Sequence, residues 1–247
     1  MTKRNHRVLN LAHRGASGYA PENTMAAFRL AKELQADGLE LDVQITKDGV
    51  PVVIHDETLV RTTGAQGYVF QHTYEEICRL DAGGWFDAKF QGEKIPRLED
   101  VLRTHGDLLL NLELKNSYFR MPGLEEKTIE LIRAYGLEQR VIVSSFHHGS
   151  MKAVHRLAKE IRTGLLYDCV LEDVIHYARA IGASALHPYY ATVTSELLAT
   201  AQAAGLMVNV WTVDDLAQMR ACVQAGVDAV ITNFPDRLHG VLNSVLE

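Results

Sequence analysis

Short apolar runs rich in β-branched residues return eight times along the chain, and the stretches between them have the length and pattern of helices. That alternation is the signature of parallel strands joined by helical crossovers, and few other folds accommodate it. Strands are expected at 8–12, 38–44 with a companion at 51–55, 108–114, 141–145, 163–167, 183–187, 207–212 and 227–232. Helices are expected at about 24–36, 125–135, 150–159, 172–181, 195–204, 214–225 and 236–245. Asn23 or Thr24, Ser195 and Asp214 are placed to cap helix N-termini, and Gly136, Gly205 and Gly226 to end helices. Eight strands favour a closed (β/α)8, or TIM, barrel over an open doubly wound sheet, and 247 residues match the roughly 250 of that architecture. The rhythm breaks at 56–97, which holds a Gly-rich stretch, a candidate short helix near 74–80 and Gly83-Gly84-Trp85-Phe86. This reads as an insertion over one rim. No repeat, low-complexity tract or linker marks a second domain, so 1–247 reads as one α/β barrel domain with a small insertion at about 56–97.

Composition narrows the class. With 47% hydrophobic and 23% charged residues, the chain can bury a core and does not read as disordered. The formal charge is -6 without a basic run, so neither a nucleic acid nor an anionic membrane is indicated as partner. No window approaches the roughly 20 apolar residues of a membrane-spanning helix. The first apolar stretch contains Asn10 and ends at once in His13 and Arg14, which reads as a strand and not as a signal peptide. Cys78, Cys169 and Cys222 are widely spaced and lack a CxxC pair, so neither a disulfide framework nor a zinc ribbon is expected. A soluble, cytoplasmic protein without stable membrane association is the expectation; the oligomeric state has no signature.

In a closed barrel the active site forms at the C-terminal ends of the strands. Along Leu110-Asn111-Leu112-Glu113-Leu114-Lys115, period-two alternation puts Asn111, Glu113 and Lys115 on one face and the leucines on the other. The leucines suit packing against helices, which leaves a carboxylate and an ammonium in the barrel mouth. The preceding strand repeats the arrangement, with Glu40, Asp42 and Gln44 on one face and Leu39, Leu41, Val43 and Ile45 on the other. Inward acids on adjacent strands repel one another and are costly to desolvate unless a cation neutralises them. Three carboxylates with no nearby cysteine suit a hard cation such as Mg2+ or Ca2+. A salt bridge to Lys115 or Arg14 is the competing, purely structural account of any one acid.

His13-Arg14-Gly15 closes the first strand and His55 closes the run from Pro51, so both imidazoles are expected at the same mouth. Two histidines are a natural acid and base near neutral pH. Gly15 allows an unusual backbone turn, and Arg14 offers the fork that recognises phosphate oxygens. Pro21-Glu22-Asn23-Thr24 reads by itself as a turn and helix cap with first-turn electrostatics. His147, His148, His187, Tyr189 and Tyr190 also fall near strand ends, with no spacing that assigns them a role.

Taken in order, His13-Arg14-Gly15, Pro21-Glu22-Asn23-Thr24, Glu40-Leu41-Asp42-Val43, Lys47-Asp48-Gly49, His55-Asp56, Glu113-Leu114-Lys115 and Trp211-Thr212-Val213 resemble the glycerophosphodiester phosphodiesterase family. The likeness covers essentially the whole chain. It implies a TIM barrel with a small insertion after the strand bearing His55. The implied reaction is hydrolysis of compounds such as glycerophosphocholine or glycerophosphoethanolamine to sn-glycerol 3-phosphate and an alcohol. It also implies that His13 and His55 are the acid/base pair and that Glu40, Asp42 and Glu113 hold one divalent cation, Mg2+ or Ca2+. Arg14 and Lys115 become phosphate contacts, and Glu22 a support that orients Arg14 or a neighbour. Trp211, on an alternate face near a strand end, serves either as core or as an apolar wall for a glycerol moiety. One departure stands at Asn233, where many members carry an acid, and no role is read for it.

Two other readings use the same residues: a barrel phosphodiesterase acting on lysophospholipids or phosphoinositides, and a non-catalytic glycerophosphodiester-binding protein. Against the first, no amphipathic basic helix of an interfacial enzyme is visible. Against the second, a sensor has no need of an acid/base pair beside a cation site. The alcohol headgroup, the choice of cation and the order of the two histidines are left open by the residues.

Overall fold

Eight parallel strands close on themselves in the computed structural model, which describes residues 7–246. The basic opening at 1–6 and Glu247 lie outside the described residues. The strands are β1 (Leu9–His13), β2 (Gly38–Ile45), β3 (Pro51–Val53), β4 (Leu109–Leu114), β5 (Val141–Ser145), β6 (Arg162–Tyr167), β7 (Ala185–Pro188), β8 (Met207–Val210) and β9 (Ala229–Thr232). β1 pairs with both β2 and β9, which closes the barrel. β3 stands outside it, antiparallel to the end of β2 with Val43 opposite Val53 and Ile45 opposite Pro51. The helices are α1 (Met25–Glu33), α2 (Val60–Thr63), α3 (Tyr74–Ile77), α4 (Leu98–His105), α5 (Leu124–Ala134), α6 (His148–Leu157), α7 (Val174–Ile181), α8 (Ser195–Ala203), α9 (Leu216–Ala225) and α10 (Pro235–Leu246).

Alternation along each strand sorts the side chains into two cores. Leu39, Leu41 and Val43 of β2 and Leu110, Leu112 and Leu114 of β4 are buried in one large cluster with Phe28 of α1, Leu98 of α4, Ile132 of α5 and Met151 of α6. The opposite faces point into the barrel, where Leu11, Ala229 and Ile231 form a separate cluster with Leu9, Leu109 and Trp211. Gly38 makes room for that filling, because a Cβ there would sit 2.4 Å from the Leu109 carbonyl oxygen and 2.7 Å from Leu11. Above this apolar floor the barrel interior turns polar, and the candidate site begins.

The insertion expected after the run that ends in His55 is present; β3 stops at Val53, and Val52 and Ile54 share a separate core with the insertion's Leu59, Val69, Ile77, Ala82 and Ile95. α4 follows it directly and was not anticipated. It has only eight residues and no side-chain cap, and its start is marked only by Glu99 and Asp100 in the first turn, yet it supplies the crossover that parallel β2 and β4 require. Two caps sit one residue from their expected places. Thr194, not Ser195, accepts from Leu197 N–H, and Asp215, not Asp214, accepts from Ala217 and Gln218 N–H. Thr24 caps α1 as expected, and Gly136, Gly205 and Gly226 adopt the left-handed conformation after their helices. No helix among the described residues is long and apolar enough to cross a membrane.

Phe28 is wholly buried and meets the His105 ring edge-on at 6.0 Å, joining α1 to α4 beneath the insertion. Phe28→Ala should lower the free energy of unfolding in urea by about 3–5 kcal/mol, the range for emptying a packed aromatic site. A loss under about 1 kcal/mol would show that α1 collapses into the space and is not held by this contact.

Candidate active site

Register brings the acids together. Parallel pairing sets Glu40 of β2 beside His13 of β1, and Asp42 beside Glu113 of β4. Neighbouring strands lie about 4.8 Å apart, so side chains at paired positions on one face must share space. Glu40, Asp42 and Glu113 each offer an oxygen, all within 4.8 Å of one another, and all three residues are buried. They could hold a metal ion.

The energetics of the trio fit a missing positive charge. Burial pushes the Glu40 carboxyl well above its usual range, and repulsion from Asp42 and Glu113 adds to the shift. Burial likewise raises Glu113, with Asp42 adding to it against the pull of Lys115. Burial opposes ionisation of Asp42 too, but Arg14 and Lys115 outweigh it and hold that carboxyl below the usual range. Lys115 donates to Glu113 at 2.9 Å and stands 3.6 Å from Asp42. The salt bridges are therefore real, but they neutralise the cluster incompletely. Asp42 Oδ1 is buried without a hydrogen-bond partner, a costly state that a cation would relieve. All-oxygen donors of this kind fit a hard divalent cation.

A backbone turn carries Arg14 into the site. Arg14 and Gly15 are both left-handed, with φ of 56° and 82°. At Gly15 a side chain is excluded outright, since a Cβ would lie 2.7 Å from the Ala27 backbone carbon and Cβ. The Arg14 conformation is held by its own N–H, which donates to the Glu40 carbonyl at 2.8 Å and reaches Glu40 Oε2 at 3.1 Å. Its guanidinium donates to Glu22 at 3.0 Å and lies 3.3 Å from Asp42 Oδ2. Asn23, also left-handed, donates to that same Asp42 oxygen at 2.8 Å. Glu22 thus lies against Arg14.

Each histidine has a distinct partner on Nδ1. For His13 it is Asn233 Oδ1, at 2.7 Å. The Asn233 amide nitrogen is taken by Asp214 Oδ2, an obligate acceptor, at 2.6 Å, so the amide oxygen faces His13 and accepts the Nδ1 proton. Ser17 braces the same oxygen and the His13 carbonyl. Nε2 of a neutral ring is then unprotonated, and it points toward Glu40, 3.8 Å away. Burial, and then Arg14, bring the His13 pKa down to about 4. For His55 the partner is Asp56, at 2.7 Å. Asp56 is kept ionised, its pKa drawn down to about 2 chiefly by Arg61.

The two imidazoles, Arg14, Glu40, Glu113 and Lys115 line a cavity of about 100 Å³ together with the apolar Phe146, Leu166, Trp211 and Ile231. Trp211 donates to the His187 carbonyl at 2.7 Å and meets Phe146 edge-on at 5.5 Å. A larger groove of about 840 Å³ between α7 and α8 contains none of the clustered groups. Of the residues expected at the site, His13, Arg14, Glu40, His55, Glu113, Lys115 and Trp211 line the cavity, while Asp42 joins them through the acid cluster and Glu22 through its bond to Arg14. Phe146 also lines it, and Asn233 with Asp214 behind His13, and Asp56 with Arg61 behind His55, are tied to it by hydrogen bonds; none of these was expected. Only Asp56 was within reach of sequence reasoning, through its adjacency to His55. The other strand-end histidines have local partners: His147 caps α6, His148 bonds the Leu166 carbonyl and His187 meets Asn209 inside the barrel.

Known proteins share this architecture. Residues 13–237 match the Glycerophosphoryl diester phosphodiesterase family. The chain is 47% identical over 234 residues to a glycerophosphodiester phosphodiesterase of Caldanaerobacter subterraneus subsp. tengcongensis, covering 94% of this chain and 96% of that one. Its fold superposes on a glycerophosphodiester phosphodiesterase from Agrobacterium tumefaciens strain C58 with a TM-score of 0.84 at 33% identity, over 94% and 99% of the two chains. It also superposes on a phosphodiesterase of Oleispira antarctica, solved with the product sn-glycerol-3-phosphate, with a TM-score of 0.85 at 30% identity, over 96% and 97%. With the family match spanning nearly the whole barrel and a relative at this identity, the chain belongs to the glycerophosphoryl diester phosphodiesterase family and is an enzyme of it, a phosphodiester hydrolase.

Proposed function

We propose that the protein hydrolyses glycerophosphodiesters such as glycerophosphocholine or glycerophosphoethanolamine to sn-glycerol 3-phosphate and an alcohol. The reading takes the whole chain as one barrel domain working in the cytoplasm, with Mg2+ or Ca2+ held by Glu40, Asp42 and Glu113. The observation that carries it is the placement of two imidazoles, each oriented by its own partner, on a cavity that Glu40 and Glu113 of a buried three-acid cluster also line. The product bound to the Oleispira antarctica relative supports the glycerol 3-phosphate half of the substrate. A divalent cation bound there would supply positive charge to the phosphoryl oxygens as negative charge develops on them.

The residues divide the rest. Arg14 and Lys115 face the phosphoryl group, with Glu22 steadying Arg14. His13 presents an unprotonated Nε2 and takes the proton from the nucleophile, which is water or the substrate's own 2-hydroxyl. An imidazolium is better held by an anionic acceptor than by an amide, so the ring beside Asp56 is the donor: His55 gives its proton to the departing alkoxide. Should a cyclic intermediate form, the two exchange roles in opening it. Trp211, with Phe146 and Leu166, offers the apolar wall for the glycerol carbons.

Purified protein should release glycerol 3-phosphate from glycerophosphocholine, lose that activity to a chelator and regain it with Mg2+ or Ca2+. Release of product from lysophosphatidylcholine instead, or none from a panel of water-soluble diesters, would overturn the reading. His13→Ala and His55→Ala should each lower kcat by about 10²–10⁴-fold, the usual weight of a general acid or base, with an unchanged unfolding midpoint. Full activity in either variant would remove that histidine from the chemistry. Glu113→Gln should raise the cation concentration needed for half-maximal activity at least tenfold; an unchanged requirement would exclude Glu113 as a ligand.

A further inference from the structure

We propose that Arg61, carried by the insertion, is a positioning residue that locks the proton donor to the phosphate-binding arm. Its guanidinium forks two carboxylates at once. Nε and Nη2 donate to the two oxygens of Asp56 at 2.7 and 2.9 Å, and Nη1 and Nη2 donate to the two oxygens of Glu22, both at 2.8 Å. Asp56 is the residue that holds His55 Nδ1, and Glu22 is the residue that holds Arg14. An unbroken chain therefore runs His55, Asp56, Arg61, Glu22, Arg14, joining the two sides of the site through a residue that touches neither the cavity nor the acid cluster.

The insertion holds Arg61 in place. It sits on α2, a single turn that follows Leu59, buried in the insertion's own core, and that ends at Gly64 in the left-handed conformation. The Trp85 ring lies 5.8 Å from the guanidinium. Without Arg61, Asp56 and Glu22 would be two carboxylates brought close with nothing between them, and repulsion would drive the Asp56–His55 pair from the Arg14 arm. No ammonium can replace the double fork, because its donors do not form a planar array that spans two carboxylates.

Magnitudes separate this role from a structural one. The Arg61 side chain is 41% exposed, and ion pairs on such side chains contribute little to stability. Misplacing a reacting group by about 1 Å costs on the order of 100-fold in rate. The residue should therefore matter little to folding and much to turnover. It should matter in one step above others, since a leaving group that departs as a stable anion needs no proton.

The inference rests on the proposed role of His55, and the test keeps the two apart. Wild type, Arg61→Gln, Arg61→Lys and His55→Ala would be assayed on glycerophosphocholine and on a glycerophosphodiester of p-nitrophenol, whose phenolate leaves unassisted. Arg61→Gln should lose about 100-fold in kcat on the choline ester, with KM within threefold, yet less than about fivefold on the nitrophenyl ester. Arg61→Lys should recover only part of the loss, and both variants should keep the wild-type unfolding midpoint within a few degrees. In a cycle with Asp56→Asn, the double variant should be no slower than Asp56→Asn alone, as members of one chain are not additive. Equal losses on the two esters, or none on either, would overturn the role of Arg61 while His55→Ala still shows the leaving-group dependence. If His55→Ala is itself indifferent to the leaving group, the donor assignment fails and this inference with it; a wild type inactive on both esters overturns the proposed function.

Discussion

In-register pairing of β2 with β4 is the constraint on which the rest of the structure depends. It brings Asp42 and Glu113 into one buried space with Glu40, two residues back on the same face of β2, and oxygens of the three lie within 4.8 Å of one another. Like charges in a low-dielectric interior are tolerated only when something answers them. Arg14 and Lys115 answer in part, which explains why Asp42 stays ionised while Glu40 and Glu113 are pushed the other way. The remaining negative charge is what makes the barrel mouth attractive to a cation.

The same economy shapes the parts around it. A left-handed turn at Arg14 is unfavourable for a residue with a side chain, and it persists because the Arg14 N–H, guanidinium and neighbouring Gly15 are all committed elsewhere. The outward leucines of β2 and β4 supply the burial that makes such a site tolerable, since the helices packed on them stabilise the strands whose inner faces repel. The two histidines line the same cavity beside Glu40 and Glu113. They differ at Nδ1, where His13 meets an amide oxygen and His55 a carboxylate.

The barrel, the acids and the histidines were legible because each depends on local pattern. Period two along Leu110 to Lys115 shows which side chains share a face, whatever the strand pairs with, and the end of a strand is readable from the residues that follow it. α4 was not legible, since it starts at Arg97 without a capping side chain and runs straight out of the insertion. Thr194 and Asp215 took the caps expected of Ser195 and Asp214, because adjacent residues of equal capping ability differ only in where the backbone turns. Asp214 instead holds Asn233, for which no role was read from the resemblance.

By itself the sequence determined the element order, the inward acidic faces and the residue types gathered at the strand ends, because these follow from periodicity and chain order alone. Tertiary structure decided the partners. Asn233 meets His13 across 220 positions only when the barrel closes β9 onto β1. Arg61 reaches Glu22 across 39 positions only when the insertion folds back over the rim. Hydrogen bonds of this kind depend on angstrom-scale distances between remote segments, and no local pattern encodes such a distance.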